Sequence, residues 1–405
     1  MINTKFSFIA FLSISILSCS NSKKDLPIQS GQPVETKAPN SDYKPAFPGQ
    51  TRVPGVTTQT PLQIDIIAQN IGAPWGIDHF PDGRLLITDK SGFMQIFSTE
   101  GTLVSKITGF PPVANEGQGG LLDVALDPDF ENTRMIFWTF SEPYQSGNLT
   151  AVAKGRLSDN EKTIENPMVI FRATPAYNGK LHFGGRLVFD KSGFLYVSTG
   201  ERSDLETRPQ AQHLNSALGK ILKITKDGNA APGNPLATEM AAMPEIYTYG
   251  HRNVQGLAFN PATNELWSSE FGPLGGDEVN FIQAGKNYGW PTITYGLEYS
   301  GEKVGDGITQ KEGMEQPVYY WDPVVSPSGI TFYNGEIGEW ENNLFLACLS
   351  GQHIDRLVIK DHKVVGEERL LAKEGERFRD VHQGKDGKLY AITDSGKLYR
   401  ISKGA

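Results

Sequence analysis

The segment DKSGFLYV at residues 190–197 places a polar turn directly before a strand of aliphatic and aromatic residues. Asp, Ser and Gly favour turns, and Phe, Tyr and Val favour strands. The same turn and strand recur six times along the chain. The strands begin at Leu85, Met135, Phe194, Leu266, Leu344 and Leu389, at intervals of 50, 59, 72, 78 and 45 residues.

A period of about 40–50 residues, lengthened by insertions, is typical of β-propeller blades. No long segment repeats its apolar residues at helical spacing. The alternating segment 62–66 (LQIDI) can pair with the last strands and close the ring, which removes exposed strand edges. The sequence therefore predicts an all-β fold, a six-bladed β-propeller of four-stranded antiparallel blades. The irregular spacing leaves open a ring of seven or eight blades, or a pair of β-sandwiches.

The composition fits a turn-rich β protein. The 405 residues include 44 Gly, 21 Phe, 14 Tyr and 6 Trp. Their apolar side chains can build a large core, which excludes a mainly disordered chain and a coiled coil. The net charge of −8 argues against a nucleic-acid partner held through its phosphates.

Residues 1–18 have the features of a lipoprotein-type signal peptide. Lys5 precedes the apolar stretch 6–17, which is too short for a bilayer span of about 20 residues. The stretch ends in Ser18 and Cys19, a pair that resembles the bacterial lipoprotein cleavage box. Cys19 would then carry the acyl chains that anchor the protein to a membrane. We predict an exported, membrane-anchored lipoprotein in the periplasm or at the cell surface; the alternative is an ordinary secretory peptide.

Residues 19–58 are rich in Ser, Thr, Pro, Gln and Lys and lack hydrophobic periodicity. They are predicted to form a flexible tether, and residues 59–405 the propeller domain. The second cysteine, Cys348, lies in an apolar run and is expected to be an inert buried thiol.

Polar, glycine-rich segments interrupt the strand pattern and contain the candidate chemistry. Arg252, Arg377 and Arg379 can converge on an anionic ligand, because guanidinium groups bind carboxylates bidentately, although each one alone also fits a surface salt bridge. His182 can act as a general base, since the pKa of histidine lies near neutrality. The pair at 277–278 (DE) can bind a hard cation such as Ca²⁺, or form a solvated acidic turn.

Six motifs carry a family resemblance. In chain order they are GQGGLL (117–122), LHFGGRL (181–187), GHRNVQGLAF (250–259), EFGPLGGDEVN (270–280), NYGWP (287–291) and ERFRDV (376–381). The series resembles the soluble aldose sugar dehydrogenases that use pyrroloquinoline quinone (PQQ), relatives of the soluble quinoprotein glucose dehydrogenase. The similarity extends from about Ile64 to Ile401. It implies a six-bladed propeller with PQQ over the central channel. It also implies a PQQ- and calcium-dependent dehydrogenase of the glucose/sorbosone type, which oxidises the C1 hydroxyl of aldoses to lactones.

The resemblance assigns roles to individual residues. His182 matches the base that takes the proton of the C1 hydroxyl while hydride passes to PQQ, and Gln118 matches a residue that contacts the sugar. The residues matched to PQQ are Arg252, Asn253, Arg377 and Arg379. Of these, Arg252 also has a catalytic role, because it places a fixed cation where negative charge develops.

The resemblance also implies two calcium sites. Gly272 and Pro273 match the backbone carbonyls that bind the catalytic Ca²⁺, a Lewis acid toward the quinone. Glu278 and the carbonyl of Tyr288 resemble a second, structural site that some members contain.

Two positions depart from the glucose dehydrogenase pattern. Leu181 stands where that branch has an acidic residue, and Ser350 stands where it has a cofactor-binding lysine. Both differences fit the aldose dehydrogenase branch and predict broad recognition of aldoses. The electron acceptor is unknown at this stage.

Two other functions are compatible with the sequence. A calcium-dependent lactonase-type hydrolase would need the metal and a base but no arginine trio. A non-catalytic carbohydrate- or protein-binding propeller lipoprotein would need neither the histidine nor the arginines.

Overall fold

The computed structural model describes residue 1 and residues 31–405, in which 24 strands form six four-stranded antiparallel sheets. The first strands of neighbouring sheets contact one another around a ring, so the sheets are the blades of a propeller around a central channel. The predicted six-bladed β-propeller is confirmed. Helical structure in the described residues is limited to α1 (Phe130–Thr133) and the 3₁₀ turns Arg208–Gln212 and Gly338–Trp340.

The strands follow one another outward within each blade. Blade 1 contains β2 (Pro74–His79), β3 (Leu85–Asp89), β4 (Phe93–Phe97) and β5 (Leu103–Ile107). Blade 2 contains β6 (Leu121–Leu126), β7 (Met135–Tyr144), β8 (Gly147–Leu157) and β9 (Ile164–Arg172). Blade 3 contains β10 (Gly184–Phe189), β11 (Leu195–Thr199), β12 (Lys220–Ile224) and β13 (Ile246–Tyr249).

Blade 4 contains β14 (Val254–Phe259), β15 (Leu266–Glu270), β16 (Asp277–Ile282) and β17 (Tyr319–Trp321). Blade 5 contains β18 (Pro327–Phe332), β19 (Leu344–Cys348), β20 (His353–Lys360) and β21 (Lys363–Leu370). Blade 6 contains β22 (Phe378–Gln383), β23 (Leu389–Thr393) and β24 (Lys397–Lys403), with β1 (Leu62–Gln69) as its outermost strand.

All six repeats found in the sequence are the second strand of a blade. These strands are β3, β7, β11, β15, β19 and β23. Neighbouring blades cover both faces of the second strand, so β3, β11, β15, β19 and β23 are buried along their whole length. Burial on both faces explains why each repeat is a continuous apolar run rather than an alternating one.

The two ends of the propeller domain share blade 6. β1 pairs antiparallel with β24, with Leu62 opposite Lys403 and Gln69 opposite Lys397. The predicted closure of the ring by the segment 62–66 is confirmed, and it covers an edge of β24 that would otherwise be unpaired.

A buried ion cluster crosses the channel. Arg186 on β10 donates through Nη1 to Asp123 on β6 (2.9 Å) and to Asp380 on β22 (2.5 Å). Its Nε donates to the carbonyl of Gln255 on β14 (2.9 Å), and its guanidinium lies over Trp75. The ion cluster of Asp123, Arg186 and Asp380 is called the crossbar below. Together with Gln255 and Trp75, it connects five of the six blades.

Residues 31–58 form a strap on the outside of blades 4 and 5. The backbone of Val56 donates to Glu367 on β21, and that of Glu367 donates to Pro54 (3.2 Å). Gln50 is fully buried and hydrogen-bonds Gln316 and the carbonyl of Pro317. These contacts fall within the segment predicted to be a flexible tether, and no periodicity in the sequence indicates them.

The predicted signal peptide and Cys19 lie outside the described residues. Within the described part, no helix has the length and hydropathy needed to cross a bilayer. Cys348 is fully buried, as predicted.

Candidate active site

The predicted site residues come together at one end of the channel. Five of the six motifs stand at the start of the first strands β6, β10, β14 and β22, or in the turn from β15 to β16, and antiparallel pairing places these points on the same face of the ring. The sixth, NYGWP (287–291), lies in the connection from β16 to β17 and bridges to Tyr249 at the end of β13. A cavity of about 350 Å³ opens there. Its lining includes Gln118, His182, Arg252, Gly272, Pro273, Arg377 and Arg379. Asn253 is buried behind this wall and does not line the cavity.

His182 is held so that one ring nitrogen is free to accept a proton. Its Nδ1 lies 2.5 Å from Oε1 of Glu201, and its backbone N–H donates to Oε1 of Gln118 (2.8 Å). A carboxylate only accepts hydrogen bonds, so Nδ1 carries the hydrogen and Nε2 keeps its lone pair. Burial and the charge of Arg252 lower the pKa of His182 to about 4, and Glu201 offsets only part of this. The imidazole is therefore neutral near pH 7.

The backbone at this site lies in unfavourable conformations. His182 has φ = 49° and Arg202 has φ = 75°, a region that residues other than glycine seldom occupy. A Cβ on Gly200 would collide with the carbonyl oxygen of His182, so only glycine allows the end of β11 to approach this closely. Strain of this kind is typical of functional sites.

Two residues after β11 support His182, and sequence reasoning missed both. Glu201 fixes the ring as described above. Arg202, also buried, donates to the carbonyls of Leu181 (3.1 Å) and Gly179 (2.7 Å) and stacks on Phe183. It thus holds the chain on both sides of the histidine. The only sequence feature that points to these two residues is their position in GER (200–202). This triplet directly follows the end of a strand, and other motifs also lie at strand ends.

Arg252 faces the cavity with its charge uncompensated by a direct ion pair. Its Nη1 donates to the carbonyls of Phe271 (3.0 Å) and Gly272 (2.6 Å), and its Nε has no partner among the described residues. Asn253 accepts from the backbone of Gly184 (2.9 Å), while its Nδ2 has no partner. One buried donor, Nε of Arg252, is therefore available at the wall of the site, and a second, Nδ2 of Asn253, lies behind it.

A second cavity of about 320 Å³ adjoins the first and is positively charged. Arg377, Arg379 and Lys90 line it with one carboxylate, Asp394, which accepts from both arginines (2.9 and 3.0 Å). Burial and the charge of Arg379 lower the pKa of Lys90, as expected where cations crowd together. Three cations against one carboxylate suit a polyanionic ligand, so the residues fit a quinone that carries carboxylates. Lys90 was missed because it lies in an ordinary turn, between β3 and β4.

The loop between β15 and β16 contains Gly272 and Pro273, whose carbonyls the sequence matched to calcium ligands. Gly272 and Pro273 line the larger cavity. Asp277 is buried and accepts from the backbone N–H groups of Gly272 (2.8 Å) and Ser326 (2.6 Å), which fixes the loop. Burial raises the pKa of Asp277 to about 7. A fixed loop with carbonyl oxygens at a cavity wall fits a calcium ion.

Asp277 and Glu278 do not act as a pair, contrary to one reading of the sequence. They are consecutive on β16 and therefore point to opposite faces of the sheet. Glu278 lies opposite Glu270 on β15, and burial together with that neighbour raises its pKa well above its ordinary value. Both carboxylates and Tyr288 line a void of about 10 Å³, and a cation there would relieve the repulsion. Glu270 was missed because its partner depends on strand register.

Comparisons with known proteins agree with this architecture. The sequence profile of the family described as Glucose / Sorbosone dehydrogenase matches residues 71–400. Aldose sugar dehydrogenase YliI of Escherichia coli (strain K12) is 40% identical over 347 residues, which are 84% of this chain and 93% of that protein. The apo-form structure of the soluble aldose sugar dehydrogenase from Escherichia coli aligns with a TM-score of 0.81 at 39% identity, over 85% of this chain and 100% of that one.

A ligand-bound structure aligns as well. The PQQ-bound form of aldose sugar dehydrogenase from Streptomyces coelicolor gives a TM-score of 0.69 at 28% identity, over 85% of this chain and 99% of that one. The match spans nearly the whole propeller. The chain therefore belongs to the glucose/sorbosone dehydrogenase family.

Proposed function

We propose that this protein is an aldose sugar dehydrogenase that uses PQQ and Ca²⁺ and oxidises the C1 hydroxyl of aldoses to lactones. The observation that carries the proposal is the cavity at the channel mouth, where a neutral histidine with a free Nε2 faces a cluster of cations. The similarity to a PQQ-bound aldose sugar dehydrogenase supports the cofactor. A hydrolase would have no use for the cations.

Each side chain has a defined task in this reaction. PQQ, when bound, supplies the two-electron acceptor, and calcium supplies a Lewis acid. His182 takes the proton of the C1 hydroxyl on Nε2, and Glu201 keeps the opposite nitrogen protonated and the ring oriented. Arg252 provides a fixed positive charge beside the reacting atoms. Gln118 lies beside His182 and can hydrogen-bond the sugar.

The cofactor is held by charge. Arg377, Arg379 and Lys90 would bind its carboxylates, and the carbonyls of Gly272 and Pro273 would bind the catalytic calcium. Glu278, with Glu270 and the carbonyl of Tyr288, would hold a second calcium. Asn253 would act from behind the wall through its unpartnered Nδ2.

Reconstitution tests the proposal directly. The full chain is produced in a host that makes no PQQ, and reduction of an artificial dye is followed with a panel of aldoses. Activity should require both PQQ and Ca²⁺ and should disappear when EDTA is added. One lactone, measured by chromatography, should form for every two electrons that the dye accepts.

Three outcomes would contradict the proposal in different ways. Lactone hydrolysis with Ca²⁺ and without PQQ would favour a lactonase. Sugar binding without dye reduction, in the presence of PQQ, would favour a binding protein. Failure to bind PQQ at all would remove the assignment of the arginine cluster.

We also propose that the protein is exported and anchored through a lipid on Cys19. The wild-type chain should fractionate with membranes and incorporate labelled fatty acid. Cys19→Ala should lose the label, whereas Cys348→Ser should keep it. Labelling that survives Cys19→Ala would contradict the anchor.

A further inference from the structure

The hairpin of β19 and β20 directs three metal-binding side chains to the same face of blade 5. Cys348 lies directly opposite His353 in the pairing of these strands, and Asp355 follows His353 by two residues. Residues that are opposite or two apart share a face. The thiol, a ring nitrogen and a carboxylate oxygen lie within 4.8 Å of one another, and all three residues are buried. None of these three residues lines the candidate active-site cavity, although Leu349, next to Cys348, does.

His353 presents a lone pair to this group. Its Nδ1 lies 2.8 Å from the carbonyl oxygen of Gly351, which only accepts, so Nδ1 carries the hydrogen. A neutral imidazole carries a hydrogen on only one of its two ring nitrogens. Its Nε2 then has no hydrogen, finds no hydrogen-bond partner, and lies 3.7 Å from Oδ2 of Asp355. Two acceptors face each other with no donor between them.

Asp355 also lacks a hydrogen-bond donor among the described residues. It is fully buried, and neither carboxylate oxygen has a hydrogen-bond partner among the described residues. The neighbouring carboxylate, Glu367, takes the nearby donors instead, namely the hydroxyl of Tyr319 (2.5 Å) and the indole N–H of Trp321 (3.3 Å). An unpaired buried carboxylate is costly, so a proton or a cation is needed here.

The surrounding carboxyl groups favour a cation. Arg369 pairs with Glu367 (3.2 Å) and with Glu35 of the strap (2.9 Å). Together with Asp355, three carboxyl groups share this one guanidinium, so a bound cation would offset carboxylate charge that Arg369 alone does not balance. Cys348 adds a thiol whose only hydrogen bond to the described residues is a long one to the carbonyl of Leu346 (3.8 Å).

We propose that Cys348, His353 and Asp355 form a structural site for a divalent transition metal of the zinc type. Thiolate and imidazole favour zinc over calcium, which takes oxygen ligands only. The bond from Nδ1 to the carbonyl of Gly351 is the outer-sphere contact that metal-binding histidines usually make. Binding releases the thiol proton of Cys348 to solvent and leaves a thiolate on the metal. The site is distinct from both proposed calcium sites.

Metal analysis of the purified full chain tests this site. Protein produced with zinc in the medium should contain about one zinc per chain, as a structural site retains its metal. Cys348→Ser and Asp355→Asn should lose it. His79→Gln is the matched control, because Asp78, His79 and His382 form the other donor group with metal-binding spacing in the described residues, at the far end of the channel. Zinc that is lost in His79→Gln and kept in Cys348→Ser would overturn the proposal.

If the variants do not fold, the binding of Co²⁺ to the chain with its three ligands intact provides a second test. The full chain refolded with Co²⁺ should show the charge-transfer absorption of a cobalt thiolate. The absorption should persist in Cys19→Ser, since Cys19 is the only other cysteine. Folded wild-type protein without this absorption and with less than about a tenth of a zinc per chain would overturn the proposal.

Discussion

At the scale of single residues, the site depends on a histidine that is neutral because it is buried. His182 has one nitrogen fixed by Glu201 and the other open to the cavity. The type of residue and its place before a glycine pair are visible in the sequence. The tautomer is not, because it is set by Glu201 in the next strand connection. The same applies to Cys348, whose neighbours His353 and Asp355 become significant only through strand register.

Replacing the base should reduce turnover without loss of the cofactor. His182→Gln should lower kcat by about 10²–10⁴-fold, the range for loss of a general base. Binding of PQQ, measured by titration of its absorbance, should stay within a few-fold of wild type. His213→Gln, on an exposed histidine, is the control and should leave kcat unchanged. Full turnover in His182→Gln would remove this residue from the mechanism.

The pH profile should reflect the lowered pKa of His182. A protonated imidazole cannot accept a proton, so activity falls as pH drops through that pKa, which is about 4 rather than 6.5. We expect kcat/KM to stay level from pH 7 to about 5 and to decline only near pH 4. Glu201→Gln should move the decline to still lower pH, because the carboxylate raises this pKa. It should also reduce kcat, by up to about 10⁴-fold if the tautomer is lost. A decline centred near pH 6.5 in wild type would contradict the burial argument.

At the scale of elements, the sequence predicted strands better than their partners. The second strands were found because burial on both faces makes them continuous apolar runs, and β1 was found because it alternates. The strap at residues 31–58 was assigned to a tether, since it has neither pattern. It is held by hydrogen bonds to blades 4 and 5 instead. The alternation of side chains along a strand is enough to predict that Asp277 and Glu278 lie on opposite faces of the sheet. That Glu278 lies opposite Glu270 could be seen only once the register of β15 and β16 was known.

The strap should contribute to stability through Gln50. Its side chain accepts from the backbone of Ala46 (2.7 Å) and from Tyr295 (3.1 Å), and it donates to the carbonyl of Pro317 (3.0 Å). Gln50→Ala would leave buried polar groups without partners and should lower the free energy of unfolding by about 1–3 kcal/mol. Lys44→Ala, on an exposed strap residue, should change it by less than about 0.5 kcal/mol. Denaturant melts of the two variants provide the comparison, and equal stabilities would mean that the strap only rests on the surface.

At the scale of the whole molecule, the six-bladed ring could be predicted from the sequence, whereas the crossbar of Asp123, Arg186 and Asp380 could not. The repeat of a turn followed by an apolar strand, together with the pairing of β1 with β24, defines six blades. Asp123, Arg186 and Asp380 stand in or beside motifs that also carry site residues, so the sequence does not separate ligand binding from blade assembly. The structure does, because their ion cluster lies deeper in the channel than the cavity. These three residues join blades 2, 3 and 6 across the axis.

Loss of the crossbar should destabilise the ring more than loss of a surface ion pair. Arg186→Met would leave two buried carboxylates without their cation and should lower the free energy of unfolding by about 3–5 kcal/mol. Arg156→Met removes a cation that pairs with Asp159 and Glu165 at the surface, and should cost less than about 1 kcal/mol. Thermal and denaturant unfolding of both variants decide the matter. A similar small loss in both would show that the crossbar is not needed for the assembly of the blades.

The pairing of β1 with β24 also sets an order in time. A ribosome makes β1 first among the propeller strands and β24 last, so β1 has no partner until β24 has emerged. A chain that ends before β24 has an open ring and an unpaired strand edge. Such an edge promotes aggregation or proteolysis. The geometry of blade 6 therefore makes ring closure depend on the synthesis of β24, because β1 has no other partner in that blade.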